Sequence, residues 1–153
     1  MYYTGIDLSL NSTGFVTISN EKDILKEEII TSNPKEEIED RIIHIRDEIS
    51  KLVTDESMYY IEGLSYMSVS ATMAQLSALH YTIRIFLKEI NTPFKIIPPT
   101  TLKKYVTGKG NSKKSLMIKN VYKKFGYDTD DDNLADAYGL ARMCLEGVWK
   151  NHR

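Results

Sequence analysis

Four acidic residues carry the chemistry that this sequence can perform. Asp7 and Glu62 each come at the end of a short apolar run, and Asp132 and Asp136 lie where a helical pattern begins. A carboxylate at the end of a strand, or in the first turns of a helix, is held rigidly and still reaches solvent. Carboxylate oxygens are the ligands that hard divalent cations prefer. The four acids therefore predict a divalent-metal site.

Such a site suits phosphodiester hydrolysis. Two metal ions about 4 Å apart can activate water and neutralise charge on the leaving oxygen. Converging carboxylates without a cation would repel one another and raise their own pKa values. Each acid also has an individual explanation: Asp7 as a satisfied buried carboxylate, Glu62 as the partner of a lysine. Three neighbours could be helix caps, but Asp136 lies a turn too far in for that. The three possible caps are Asp130, Asp131 and Asp132.

The positions of these acids depend on the elements that the periodicity predicts. Apolar or alternating runs predict five strands, at residues 2–8, 14–19, 24–30, 58–64 and 94–97. Apolar residues at spacings of three and four predict five helices, at about residues 34–52, 71–90, 101–106, 112–125 and 132–149. A glycine-containing loop, residues 107–111, separates the third and fourth helices.

Three strands in a meander, followed by strands that alternate with helices, predict an α/β fold: a mixed five-stranded sheet flanked by helices. The order resembles the ribonuclease H-like fold. In it the first strand is central and pairs in parallel with the fourth, because strand-helix-strand crossovers are right-handed. Asp7 and Glu62 would then be neighbours. The last helix would bring Asp132 and Asp136 to the same place on one of its faces.

Length and composition give the setting. At 153 residues, residues 1–153 are expected to form a single domain. The only cysteine is Cys144, so no intramolecular disulfide forms, and the sequence shows no signal peptide and no membrane-length apolar run. We expect a soluble protein of a reducing cytosol, without a membrane partner.

Charge is strongly segregated along the chain. Residues 91–127 contain nine lysines and no acidic residue, although the formal net charge of the whole chain is -1. A lysine near a phosphate releases condensed counterions, so such a segment favours a polyanionic partner. A solvated helix face is the simpler explanation of a charge run, and the glycines beside this one favour the polyanion.

Several motifs together resemble the RuvC family of Holliday junction resolvases, particularly the smaller RuvC-like enzymes of phages. They are residues 5–14, Glu62 at the end of an apolar strand, residues 99–110 and residues 132–137. The resemblance runs from the first strand to the last helix. It implies a homodimeric endodeoxyribonuclease that uses Mg²⁺ or Mn²⁺, with two ions per site, and nicks branched DNA symmetrically in the cytoplasm of a bacterial cell or a phage-infected host.

The resemblance also assigns roles to individual residues. Asp7, Glu62 and Asp136 match the catalytic acids directly. For the fourth acid we choose Asp132, with Asn133 as an alternative ligand or a cap. Asp7 would bridge the two ions. Basic positions flanking the glycine loop would contact DNA, and the lysines predicted to do so are Lys103, Lys104, Lys109, Lys113 and Lys114.

Other features are ambiguous at this level. Tyr66, just after the fourth strand, is predicted to wedge between base pairs at a branch point. His44 and His80 are interpreted as structural, although His80 could reach DNA. The helix at residues 71–90 offers a dimer face, or it simply packs on the sheet. The departure of residues 65–69 from the bacterial pattern leaves open which branches are cut.

Two other functions compete with a junction-resolving nuclease. One is an ATP-dependent phosphotransferase of the actin and sugar-kinase superfamily, whose opening hairpin is similar but which needs a second domain. The other is an RNA-processing or non-catalytic branch-binding protein on the same fold. Nucleotide binding would favour the first, and cleavage of structured RNA in preference to branched DNA would favour the second.

Overall fold

The computed structural model describes residues 1–65 and 71–148. In chain order its elements are β1 (Tyr2–Asp7), β2 (Ser12–Ile18), β3 (Ile24–Thr31), α1 (Ile38–Leu52), β4 (Ser57–Glu62), α2 (Ala71–Glu89), β5 (Phe94–Ile97), α3 (Pro99–Thr107), α4 (Lys114–Phe125) and α5 (Asp132–Glu146). The five predicted strands and five predicted helices are all present.

The strands form one mixed sheet in the order β3-β2-β1-β4-β5. β1 pairs antiparallel with β2, β2 pairs antiparallel with β3, and β1–β4 and β4–β5 are parallel pairs. The first strand is therefore central, as the order of elements predicts. This is the ribonuclease H-like arrangement, and the parallel β1–β4 pair places the ends of both strands at the same edge of the sheet.

Helices cover both faces of the sheet, and alternate strand residues serve the two cores. Phe15 and Ile61 pack with α1 and α2 on one face, whereas Val16 and Tyr60 pack with α3, α4 and α5 on the other. Because the inner strands β1, β2 and β4 are buried on both sides, their sequences are largely apolar with little alternation, whereas the edge strand β3 is mostly exposed. Burial at both layers fixes the strand register, since a slip of one residue would exchange the faces.

Buried hydroxyl groups link the three inner strands. Thr4 Oγ1 on β1 lies 2.7 Å from Thr17 Oγ1 on β2 and 2.7 Å from Ser57 Oγ on β4. Each hydroxyl is thereby satisfied inside the sheet, where an unpaired one would cost about 1–3 kcal/mol. The threonine in the apolar β1 therefore fixes the strand against both neighbours.

Helix α5 touches the sheet backbone directly. A Cβ atom on Gly5 would lie 1.9 Å from the Ala137 carbonyl oxygen, and one on Gly14 would lie 2.3 Å from the Asn133 carbonyl oxygen. Side chains of α5 are buried nearly all round, including Ala135 and Ala137. A helix buried on every side needs such small residues where it meets the sheet. This close contact holds the start of α5 over the β1–β2 hairpin.

Some predicted boundaries differ from the structure. β4 ends at Glu62 rather than residue 64, and α1 begins at Ile38, four residues after the proline that opens the predicted segment. On α2 the buried stripe includes Leu87, whereas Ile90 lies beyond the helix and is exposed. α5 ends at Glu146, and residue 149, its predicted end, lies outside the described residues. Among the described helices, none is both long and apolar enough to cross a membrane.

The glycine contact is testable by substitution. We expect Gly5→Ala to lower the free energy of unfolding by about 3 kcal/mol, because the new methyl group meets backbone atoms of α5 that cannot move independently. Gly139→Ala is the matched control on α5. Its Cβ would lie 3.1 Å from the methyl groups of Leu102 and Val106, and the gain of about 1 kcal/mol in helix propensity offsets that crowding. Urea denaturation measures both variants, and equal effects would contradict the proposed backbone contact.

Candidate metal centre

Two acids reach the same edge of the sheet because their strands are parallel neighbours. Asp7 is the last residue of β1 and Glu62 the last of β4, and the preceding residues Ile6 and Ile61 are paired in register. Both acids are half-buried, while Ile6 and Ile61 are fully buried. The strand ends therefore present two carboxylates side by side, as the sequence predicts.

A third carboxylate comes from α5. One carboxylate oxygen from each of Asp7, Glu62 and Asp136 lies within 4.8 Å of the others. Asp136 reaches them because Ala137, the next residue, has its carbonyl pressed against Gly5. Three oxygen ligands at this spacing fit a hard divalent cation such as Mg²⁺ or Mn²⁺.

The electrostatics of the cluster favour a cation. Burial raises the pKa of Glu62 to about 8, with further elevation from the charge of Asp136. Burial likewise raises the pKa of Asp136 to about 7, and the charge of Asp132 adds to it. The pKa of Asp7 is raised well above its usual value by burial and then by Glu62 and Asp136. These carboxylates lack enough positive charge around them, which a divalent ion would supply.

The fourth predicted acid has a different environment. Asp132 lies outside the group of three that meets within 4.8 Å, and its Oδ2 atom pairs with Lys114 Nζ at 3.1 Å. That hydrogen bond and charge raise the pKa of Lys114. The charge of Asp132 still acts on Asp136 and Asp7. Asp132 thus borders the cluster, with a lysine ammonium as its partner.

Two neighbours of Asp132 have structural partners. Asp131 caps α5, its Oδ1 accepting a hydrogen bond of 2.9 Å from the Leu134 backbone N–H. Asn133 Nδ2 donates to Ser12 Oγ at 3.1 Å. The second contact ties α5 to the β1–β2 hairpin, so the side-chain amide of Asn133 positions the helix. Sequence reasoning proposed a cap or a ligand for Asn133 and missed this link, since Ser12 is distant in the chain.

The predicted DNA-contacting lysines lie on α3, α4 and the loop between them. Lys103 is half-buried, and its charge lowers the pKa of Glu62 and of Asp136, as the charge of Lys114 also does. The other predicted lysines are exposed; they are Lys104, Lys109 and Lys113. The positive segment therefore borders the carboxylates. Tyr66, the predicted wedge, lies outside the described residues.

A cleft of about 210 Å³ opens beside the carboxylates, with Asp7, Glu62 and Lys103 in its lining. His80, interpreted from the sequence as structural but able to reach DNA, also lines this cleft. His44 does have a purely local contact, from its Nε2 to the Thr31 carbonyl at 3.0 Å.

A larger groove, of about 420 Å³, runs between β3 and α1. Its polar groups are mostly paired with each other, as Lys51 Nζ is with Glu48 Oε1 at 2.8 Å. It contains no convergent set of carboxylates. The candidate site is therefore the smaller cleft, where the unbalanced charge lies.

Relatives of known name span the whole chain. The crossover junction endodeoxyribonuclease RuvC of Rickettsia africae (strain ESF-5) is 31% identical over 160 aligned positions, covering 99% of this chain and 100% of the relative. The protein of the same name from Rickettsia akari (strain Hartford) is 30% identical and covers 94% of this chain and 96% of its own. No family model matches the chain.

Solved structures share the fold. The RuvC of Thermus thermophilus superposes with a TM-score of 0.76 at 18% identity, covering 92% of this chain and 91% of its own. The Fowlpox virus resolvase, solved with a substrate Holliday junction DNA, superposes with a TM-score of 0.66 at 17% identity and covers 98% of this chain and 100% of its own. The ribonuclease H-like fold predicted from the element order is thereby confirmed.

The charge imbalance predicts an unusual pH dependence. The pKa of Asp136 rises from 3.8 to about 7 and that of Glu62 from 4.5 to about 8. Between the unfolded and folded values the folded protein binds more protons, so stability falls as pH rises. In EDTA we expect the melting temperature to drop between about pH 5 and pH 8, and millimolar Mg²⁺ to reverse most of the drop.

Variants separate this effect from general acid denaturation. Asp136→Asn should flatten the decline in EDTA and weaken the stabilisation by Mg²⁺, whereas Asp130→Asn, at an exposed acid before α5, should change neither. Differential scanning fluorimetry across the pH range measures both. A melting temperature that rises steadily from pH 5 to pH 8 in EDTA would contradict the raised pKa values.

Proposed function

The chain belongs to the RuvC family of crossover junction endodeoxyribonucleases, and we propose that it resolves Holliday junctions, and other branched DNA, by metal-dependent symmetric nicking. The observation that carries this proposal is the meeting of Asp7, Glu62 and Asp136 within 4.8 Å at one edge of the sheet. A carboxylate centre of this kind can hold metal ions that catalyse phosphodiester hydrolysis, and positive side chains beside it can accept the DNA backbone.

Asp7, Glu62 and Asp136 would hold Mg²⁺ or Mn²⁺, and we propose that two ions bind, with Asp132 completing the second site. When bound, such ions activate water and neutralise charge on the leaving oxygen. Asp7 is central in this arrangement because burial and all three other acids act on it. Binding of the second ion at Asp132 requires the Lys114 ammonium, 3.1 Å away, to release it.

The lysines of α3 and α4 would bind the DNA backbone. Lys103 lines the cleft beside the acids. The Lys114 side chain is 83% exposed in its ion pair with Asp132, so once released from Asp132 it would contact a phosphate. Lys104, Lys109 and Lys113 extend the positive surface away from the centre. Contacts of this kind orient a backbone without reading its sequence. Selection of a branch then depends on geometry, since only a bent, branched DNA presents two scissile phosphates to two sites.

We propose that the second site comes from a second copy of the chain, joined through α2. This helix has a solvent-exposed apolar stripe opposite its buried one: Ala74, Ala78, Tyr81 and Ile85 are all exposed at helical spacing. Tyr81 is 49% and Ile85 is 56% exposed. An apolar stripe of this length on an outer helix suits an isologous dimer contact.

Residues 1–153 are proposed to act as one nuclease domain, because the helices on both faces pack on the same sheet. The relatives of known name are bacterial proteins. The proposed place of action is the cytoplasm of a bacterial cell or of a phage-infected host.

The decisive experiment is cleavage of a synthetic four-way junction, a replication fork, a linear duplex and a structured RNA with Mg²⁺ or Mn²⁺. We expect paired nicks in the junction. Asp7→Asn and Asp136→Asn should each reduce the rate by at least about a hundredfold, while binding of the junction survives in Ca²⁺. Gel-resolved nicking and a binding titration measure the two effects.

Asp130→Asn serves as the control, since this acid is exposed and outside the cluster. A junction left uncut with either metal would disprove the nuclease proposal. Cleavage of the RNA alone would assign the site to RNA processing. Strong cleavage of the linear duplex would remove the selectivity for branches.

The dimer has its own test. We expect the Ile85→Asp protein to be monomeric, because a charge in an apolar contact is costly to desolvate. Light scattering measures the oligomeric state. The variant should convert paired nicks into single ones with little change in melting temperature. Ile43→Asp, on the exposed part of α1, is the matched control and should stay dimeric. Paired nicking by a monomeric Ile85→Asp protein would contradict the proposal.

A further inference from the structure

Strand β3 forms an open edge of the sheet. It is the first strand in the order β3-β2-β1-β4-β5, and within residues 1–65 and 71–148 it pairs with β2 alone. Backbone N–H and C=O groups on the outer side of such a strand can pair with another extended chain. Natural proteins block such edges with bulges, lysines or a covering element. These features therefore decide which part of the β3 edge can accept a partner.

The blocking features lie on the first half of β3. Its register with β2 shifts near Ile24, at the start of the strand. Lys26 Nζ donates to the Leu52 carbonyl at 2.7 Å, which ties this half of the strand to the end of α1. Residues 27–31 continue in regular register, contain no lysine and are exposed apart from Ile30. Residues 27–31 are thus the part of the edge that can pair with an added strand.

The groove between β3 and α1 runs along this part of the edge. Its lining combines the apolar Ile29, which is 41% exposed, with the acidic Glu28 and Glu48. Glu48 pairs with Lys51 at the surface, where an ion pair is weak and an incoming cation can replace the lysine. Within the described residues no lysine or arginine pairs with Glu28. The groove therefore suits a positively charged occupant.

The groove continues beyond the end of β3. A second space, of about 420 Å³, shares Thr31 and His44 with the first and is lined by another acid, Glu36. The His44 ring bonds the Thr31 carbonyl at 3.0 Å, so this acceptor is already occupied and strand pairing would end there. The glutamates along both spaces repel a nucleic-acid backbone and favour a basic peptide.

Strand geometry determines which side chains of such a peptide meet the protein. Neighbouring residues of a strand face opposite sides of the sheet. Ile30 packs in the core beside α1, so Glu28 shares that side and Ile29 lies on the other. A peptide strand beside β3 repeats this alternation. Basic side chains would then lie on the side of Glu28, and apolar side chains on the side of Ile29.

We propose that residues 27–31 bind an extended, basic peptide of a partner protein as an added strand. In this mode main-chain hydrogen bonds supply affinity, and the alternate side chains supply specificity. Asp7 pairs with Gly14, and Gly14 pairs with Ile29. The added strand would therefore lie three strand spacings, about 14 Å, from the end of β1. The partner would be held near the metal centre without covering it, and its binding does not depend on the proposed nuclease function.

The first test uses a dye-labelled peptide of three Lys-Val repeats, with fluorescence anisotropy at low salt and in Mg²⁺. We expect a Kd of about 100 µM or tighter. A peptide of three Glu-Val repeats should bind at least about tenfold more weakly, because the glutamates of the groove repel it. The Lys-Val peptide methylated at every backbone nitrogen keeps its charge but cannot donate main-chain hydrogen bonds. It should also lose at least about tenfold in affinity.

Matched variants separate the groove from the overall charge of the protein. Glu28→Gln/Glu48→Gln should weaken binding of the Lys-Val peptide at least about fivefold. Asp128→Asn/Asp130→Asn changes the net charge equally, at two exposed acids before α5, and should alter the affinity less than about twofold. The inference is wrong if the Lys-Val peptide does not bind, if the methylated peptide binds as well, or if the two double variants behave alike.

A second test locates the bound peptide. Amide hydrogen exchange, followed by NMR, should slow at least about tenfold at the outward-facing N–H groups of residues 27–31 when the Lys-Val peptide is saturating. Exchange at Asp7 and Glu62 should stay unchanged. Protection at these two residues instead would assign the peptide to the metal centre, and binding without protection of β3 would exclude strand addition. Both outcomes overturn the inference, whereas a failure to cut DNA would leave it intact.

Discussion

The direct contact between α5 and the backbone of β1 and β2 is the constraint on which the site depends. Because Gly5 and Gly14 lack side chains, the helix lies against the strands with the Ala137 carbonyl where a Cβ atom would be. At any larger separation Asp136 would lie farther from Asp7. The packing of α5 on the sheet backbone therefore sets the distance between the Asp7 and Asp136 carboxylates. The Asp131 side chain caps the start of this helix.

The short distance between the carboxylates also causes electrostatic repulsion within the fold. Three half-buried carboxylates within 4.8 Å destabilise the protein when they ionise together, and their pKa values rise accordingly. Lys103 and Lys114 offset part of this repulsion. A divalent cation would offset more, so occupation of the site and stability of the fold are linked. The repulsion between the carboxylates is thus confined to the candidate metal centre.

Two lysines of different burial lie beside the acids. Lys103 lies half-buried beside the cleft, whereas Lys114 projects from the first turn of α4 and holds Asp132. Both belong to a segment without a single acidic residue. The sheet edge is therefore negative at its centre and positive at its border, an arrangement that suits a nucleic-acid backbone at the border and a divalent cation at the centre.

The sequence by itself determined the elements and most of their order in space. Apolar periodicity located the strands and helices. The resemblance of their order to the ribonuclease H-like fold, with its right-handed crossovers, made β1 and β4 neighbours, so the adjacency of Asp7 and Glu62 was predicted without coordinates. Periodicity is a local property of the sequence, and the order of elements is a property of the topology, so both can be read from a single sequence. The choice of Asp136 also rested on a local rule, since capping could not explain an acid one turn inside α5.

Only the tertiary structure decided how distant side chains are paired. It placed Asp132 against Lys114, Asn133 against Ser12, and His80 beside the carboxylates. Each of these depends on the depth and rotation with which a helix packs on its neighbours. Periodicity gives the buried face of a helix but not its distance from the sheet, because that distance is set by close-packing of many side chains at once.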